Sequence, residues 1–196
     1  MCEFDEPLVC FPCRCCGVSN NEGLSRYFNL SGKSTIAGTI AQLASTTHLP
    51  LDPGGIPLST PPASYPGLSP NTPFTLTAET DIDDCFIFPD TPANSVPLDT
   101  RTQPERLCAK FHHPETKLNL EVLTTEPSFQ FYTGKYVDLP AQADGTPARV
   151  RNAGFCVEPG RYVDAVNRED WRGQVVLKKG EVYGSKIVYV AWKGEQ

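Results

Sequence analysis

Residues 106–125, RLCAKFHHPETKLNLEVLTT, hold two apolar runs separated by a turn. In the second run Leu118, Leu120, Val122 and Thr124 share one side, and Asn119, Glu121, Leu123 and Thr125 the other. That two-residue period belongs to a strand with one buried face. Arg106–Phe111 reads as its partner, and His113-Pro114-Glu115-Thr116-Lys117 as the turn between them. The pair predicts an antiparallel hairpin and sets the class of the fold.

Outward from this hairpin, further short runs read as strands: Thr35–Ala44, Phe74 to Ala78, Phe129–Thr133, Gly154–Val157, Val175–Lys178 and Lys186–Trp192. Nineteen prolines and fifteen glycines, scattered along the chain, leave no room for a long helix. The run KIVYVAW (186–192) is apolar on both faces, as a central strand would be. His48–Asn71, with seven prolines and three glycines, reads as a long irregular connection, and Pro89–Pro104 as another. The expected class is all-β, a sandwich in preference to a closed barrel.

Composition narrows the function. With 39% hydrophobic and 20% charged residues, the 196-residue chain can bury a core. A net charge of −6 argues against a nucleic-acid partner or an acidic membrane, since both need a basic face. No run of 18 apolar residues is present, and MCEFDEPLVC lacks the basic start of a signal peptide, so a cytoplasmic protein is expected. Five of eight cysteines (Cys2, Cys10, Cys13, Cys15, Cys16) crowd into the first sixteen residues. Cys10 and Cys13 have the spacing of a zinc knuckle, but no second Cys or His pair follows, so an unrelated or disordered leader over 1–23 with reduced thiols is the expectation.

Several motifs fail on inspection. Gly32-Lys33-Ser34 lacks the earlier glycine of a phosphate loop, where Tyr27 stands. Asp81-Ile82-Asp83-Asp84 lacks the glycine and terminal glutamate of a calcium loop, and no G-x-S-x-G elbow occurs.

Four segments carry a resemblance. They are Tyr27-Phe28-Asn29-Leu30-Ser31-Gly32 with Leu49-Pro50-Leu51-Asp52 downstream; Ile82-Asp83-Asp84-Cys85-Phe86; LEVLTTEP (120–127) running into FQFYTG (129–134); and GFCVE (154–158) followed by Asp164-Ala165-Val166-Asn167. In this order they resemble the galactose mutarotases, or aldose 1-epimerases, particularly the fungal ones, over about Leu24 to Trp192. The resemblance implies a galactose mutarotase-like β-sandwich of which residues 24–196 form the C-terminal part, truncated on its N-terminal side. It also implies an isomerase that interconverts the α and β anomers of glucose or galactose without metal or organic cofactor.

The residue roles follow from the same resemblance. Glu158 matches the family's general base; it ends an apolar run, and Pro159-Gly160 is expected to stop the strand there. Asp83 matches an acceptor of sugar hydroxyls, since an ionised carboxylate only accepts. Gln130 matches a side chain that points into the sugar site. Asp164 and Asn167 are expected to fix a loop near Glu158, and Trp171 to pack as an edge aromatic before it stacks on a sugar. Taken without the resemblance, each of these positions has an ordinary structural reading: a solvated strand end, a turn residue, an outward strand residue.

The chain departs from the family pattern in two ways: the N-terminal half, to which the family's earlier histidine and substrate-binding arginine belong, is expected to be missing, and a second histidine is replaced. The histidine that acts as acid toward the ring oxygen is replaced by Ser25, whose hydroxyl has no proton to give near neutral pH. Arg26 can hydrogen-bond an oxygen but cannot shuttle a proton. His112 and His113 are expected to lie away from the chemistry, and His48 to stand alone. Three readings follow: an epimerase reduced in this chain, a carbohydrate-binding relative without catalysis, or a non-functional fragment with no independent fold. The oligomeric state is not encoded in any pattern.

Overall fold

The computed structural model describes residues 26–58, 61–143 and 145–195, with the backbone of Phe11–Pro12. Ser25 and the expectations for the leader, including the Cys10–Cys13 pairing, lie outside the described residues. The strands in chain order are β1 (Phe11–Pro12), β2 (Arg26–Tyr27), β3 (Ile40–Leu43), β4 (Thr47–His48), β5 (Ala63–Ser64) and β6 (Phe74–Thr75). After them come β7 (Asp83–Ile87), β8 (Arg106–His113), β9 (Leu118–Thr124), β10 (Ser128–Tyr132), β11 (Cys156–Gly160) and β12 (Ile187–Lys193).

Two five-stranded sheets stack face to face, in the orders β11-β10-β7-β4-β5 and β12-β9-β8-β3-β6, with antiparallel pairing throughout. The all-β sandwich expected from the sequence is therefore present. The β8–β9 hairpin forms as read, with Lys117 at φ +60 closing its turn through a hydrogen bond from its N–H to the His113 carbonyl. A bulge at Cys108 shifts the register between Leu107 and Ala109.

The core lies between the sheets. Phe86, Phe129, Phe131 and Phe155 from the first sheet side meet Phe111, Leu120 and Val122 from the second, all buried. Phe111 stacks on Phe155 with centroids 4.2 Å apart. Each buried phenylalanine stabilises the fold by about 1.5–3 kcal/mol through area removed from water. Phe129 and Phe131 point inward, so strand alternation sends Ser128, Gln130 and Tyr132 to the opposite, outer face of the first sheet. Part of that outer face is roofed by a second apolar cluster of Leu49, Cys85, Ile87, Tyr162 and Ala165, with Trp171 packed against it.

Four local expectations are corrected. Val175–Lys178 forms no strand: it follows the 3₁₀ turn Arg172–Gln174 and stays largely exposed, Gln174 being held by the Ala93 carbonyl. The run KIVYVAW becomes β12, an edge strand rather than a central one. Only Ile40–Leu43 of the run Thr35–Ala44 pairs, because Gly38 at φ +87 turns the chain just ahead of it. Pro159 and Gly160 continue β11 instead of stopping it. Proline is tolerated there because β11 is the edge of its sheet, where a missing N–H leaves no ladder partner unsatisfied.

Candidate functional site

Asp83 opens β7, Gln130 sits mid-way along β10, and Glu158 lies on β11. Registration brings the three together. Gln130 is directly opposite Glu158 on one side and Cys85 on the other, and Asp83 is two residues from Cys85 on the same face. The Gln130 amide Nε2 donates to Asp83 Oδ1 at 2.7 Å. Its Oε1 is buried and has no partner among the described residues. The strands carrying Asp83 and Glu158 are two interstrand spacings apart, roughly 10 Å, with the amide between them.

Asp84 points to the other face, where its Oδ1 lies 2.9 Å from His48 Nδ1. Alternation thus separates the adjacent aspartates and leaves Asp83 on the side of Gln130. His48, read as solitary, is the hydrogen-bond partner of Asp84 and sits edge-on to Tyr65, 5.0 Å between centroids. His112 and His113 stay in β8 on the second sheet, away from Asp83, with His112 Nδ1 2.9 Å from the Asn119 side-chain oxygen.

The Asp83 carboxyl is pushed above the ordinary carboxyl range. Loss of hydration against the sheet is the main cause; the Gln130 hydrogen bond opposes it, Asp84 and Asp81 add repulsion, and Lys135 counters them. The residue is nonetheless solvent-exposed, so it can reach a ligand. Lys135 is itself held by Asp81, Nζ to Oδ2 2.6 Å. Near Glu158 stands Tyr189, whose phenol is raised by burial first and by the Glu158 carboxylate second, with Arg26 opposing. The Tyr189 hydroxyl donates to the Val157 carbonyl at 2.9 Å, which fixes β12 against β11.

The loop after β11 is tied down as expected: Asn167 Nδ2 donates to Asp164 Oδ1 at 2.5 Å, and Asp164 holds a left-handed backbone at φ +64. Trp171 packs edge-on against Tyr162, 5.3 Å between centroids. A buried ion pair, Arg161–Glu126 at 2.9 Å, anchors the same loop, Arg161 also donating to the carbonyls of Pro97 and Leu98. Sequence reasoning missed this pair. It missed Tyr132 as well, although the period of two from Gln130 places that ring on the same face, opposite Asp83.

A cleft of about 960 Å³ opens elsewhere, lined among others by Lys33, Glu115, Lys117, Arg149 and Lys193. It shares no residue with Asp83, Gln130 and Glu158, and its carboxylate, Glu115, is paired with Lys33 at 2.7 Å. The face of the first sheet is therefore the candidate site. Among the described residues no group of three or more His, Cys, Asp or Glu side chains could hold a metal ion, and no helix is long and apolar enough to cross a membrane.

Residues 20–190 match the family described as aldose 1-epimerase. The chain belongs to the aldose 1-epimerase family. Over 171 residues it is 39% identical to the bifunctional protein GAL10 of Kluyveromyces lactis, covering 83% of this chain and 23% of that protein. It is 36% identical over 168 residues to the bifunctional protein gal10 of Schizosaccharomyces pombe, covering 82% of this chain and 21% of that protein. Over 79 residues it is 39% identical to the galactose mutarotase of Bos taurus, 40% of this chain and 23% of that protein. In fold this aldose 1-epimerase family member is similar to the GalM/aldose epimerase homologue from C. elegans, with a TM-score of 0.68 at 19% identity, over 87% of this chain and 50% of that one. The chain thus spans less than a quarter of these sequence relatives and about half of that structure.

Proposed function

We propose that this chain is an aldose 1-epimerase-type isomerase acting on glucose or galactose, with Glu158 as general base and Asp83 and Gln130 as holders of sugar hydroxyls. The observation that carries the reading is the Gln130 amide, hydrogen-bonded to Asp83 and registered opposite Glu158 on one open sheet face. A cytoplasmic role in hexose metabolism is the setting it implies.

The chemistry uses these groups directly. The Glu158 carboxylate takes the proton from the anomeric hydroxyl as the bond from C1 to the ring oxygen breaks, and the ring oxygen takes a proton from a water molecule, which recovers it when the ring closes. The open aldehyde turns about C1–C2, and ring closure on the other face returns the Glu158 proton to the new hydroxyl. Asp83 accepts hydrogen bonds from hydroxyls remote from C1, while Gln130 holds the Asp83 carboxylate through Nε2. Neither Ser25 nor Arg26 supplies the proton for the ring oxygen, and an absent general acid costs about 10²–10⁴-fold in rate. This absence favours a second reading, a carbohydrate-binding relative that keeps the three side chains without turnover.

Polarimetry on freshly dissolved α-D-galactose separates the two. The first reading expects mutarotation faster than the buffer rate and a return to the buffer rate in Glu158→Gln. Equal acceleration by the variant would remove Glu158 from the mechanism. Sugar binding without acceleration would establish the second reading.

A further inference from the structure

Beside Asp83 the fold gathers tyrosines that neither the core nor the proton transfer uses. Tyr132 lies two residues beyond Gln130 on β10, directly opposite Asp83 on β7 and Cys156 on β11. Its hydroxyl accepts a hydrogen bond from the Tyr136 backbone N–H at 2.6 Å. Its ring is edge-on to Tyr27, 6.2 Å between centroids, and nearly parallel to Tyr136, 21° apart with centroids at 6.5 Å. The turn carrying Tyr136 is pinned independently. Gly134 adopts φ +80 where a Cβ would collide with the Gly154 carbonyl, and Lys135 is tethered to Asp81. On this braced turn Tyr136 is 73% exposed, more than any other large apolar side chain among the described residues.

The Tyr136 ring meets only Tyr132 and the Lys135 ammonium, 5.5 Å from its centroid, among the ring contacts of the described residues, yet the backbone beneath it is held at several points. A pyranose has the complementary surface: one face made of C–H groups, with hydroxyls around the rim. An aromatic ring takes the C–H face while neighbouring carboxylates and amides take the hydroxyls. Asp83 and Gln130 supply those rim partners beside Tyr132. We infer that Tyr136, braced by Tyr132, is the stacking platform for the apolar face of the sugar held by Asp83 and Gln130. Tyr136 contacts substrate directly; Tyr132 is a positioning residue acting through the Tyr136 N–H. The inference rests on the proposed sugar site.

The test is calorimetric titration of D-galactose into the whole chain and its variants, with a thermal melt of each to show that the exposed substitutions leave the fold intact. Tyr136→Ala is expected to weaken binding roughly two- to tenfold, and Tyr136→Phe, which keeps the ring, to bind as the parent does. Tyr132→Phe, which removes the acceptor for the Tyr136 N–H, is expected to fall between them. Parent-like binding by Tyr136→Ala overturns the inference. So does a loss in Tyr136→Phe equal to that in Tyr136→Ala, because a hydroxyl contact would then replace stacking. Asp83→Asn isolates the underlying reading: if it abolishes binding while Tyr136→Ala does not, the sugar site stands and the platform falls. If the parent binds no galactose, both fall together.

Discussion

At the scale of single residues, the proposed site centres on the Gln130 amide, hydrogen-bonded to Asp83 and registered opposite Glu158. The Gln130 hydrogen bond favours the ionised form of Asp83 and partly offsets the loss of hydration that raises its pKa. Gln130→Leu is therefore expected to raise the Asp83 pKa further, a shift read by carbon-detected NMR titration of the carboxyl; an unchanged or lower value would contradict the geometry. The sign for pH dependence follows. A carboxyl whose folded pKa lies above its unfolded value favours the fold at low pH and loses that contribution as pH rises through the folded value. Acceptance of sugar hydroxyls runs the other way, since it needs the ionised form and weakens as pH falls through the same raised value.

At the scale of elements, strands with clean alternation were legible, β10 with Gln130 among them, and β7 with Asp83 was not. The β8–β9 hairpin follows from Leu118, Leu120 and Val122 alone. Nothing in the period marks β7, because the consecutive Asp83 and Asp84 look like a turn; only the pairing of β7 with β10 shows one facing the site and the other His48. Asp83, Gln130 and Glu158 were named through the family resemblance alone; that Gln130 lies between the strands of the other two follows from strand register. Contacts distant in sequence, such as Arg161–Glu126, carry no local signal. That pair is nearly fully buried, side chains 2% and 1% exposed, and holds the loop leaving β11. Arg161→Ala leaves a buried carboxylate unpaired and is expected to cost about 3–5 kcal/mol in urea unfolding; a loss below about 1 kcal/mol would show that the loop does not depend on the pair.

At the scale of the whole molecule, two sheets press a phenylalanine core between them and turn one open face outward. The sheets end on edge strands β11 and β12, tied where the Tyr189 hydroxyl meets the Val157 carbonyl. The same edge position explains why Pro159 can follow Glu158 without breaking the strand and why the apolar KIVYVAW run is only part-buried. Two surfaces then compete as ligand sites: the Asp83–Gln130–Glu158 face and the separate cleft lined by Lys33 and Lys193. At 21.5 kDa the chain is within reach of amide-resolved NMR. Titration with D-galactose is expected to move the amides of residues 83–85, 128–136 and 156–158 together along one saturable curve. Saturable shifts confined to the Lys33–Lys193 cleft, with those three strands unmoved, would contradict the assignment.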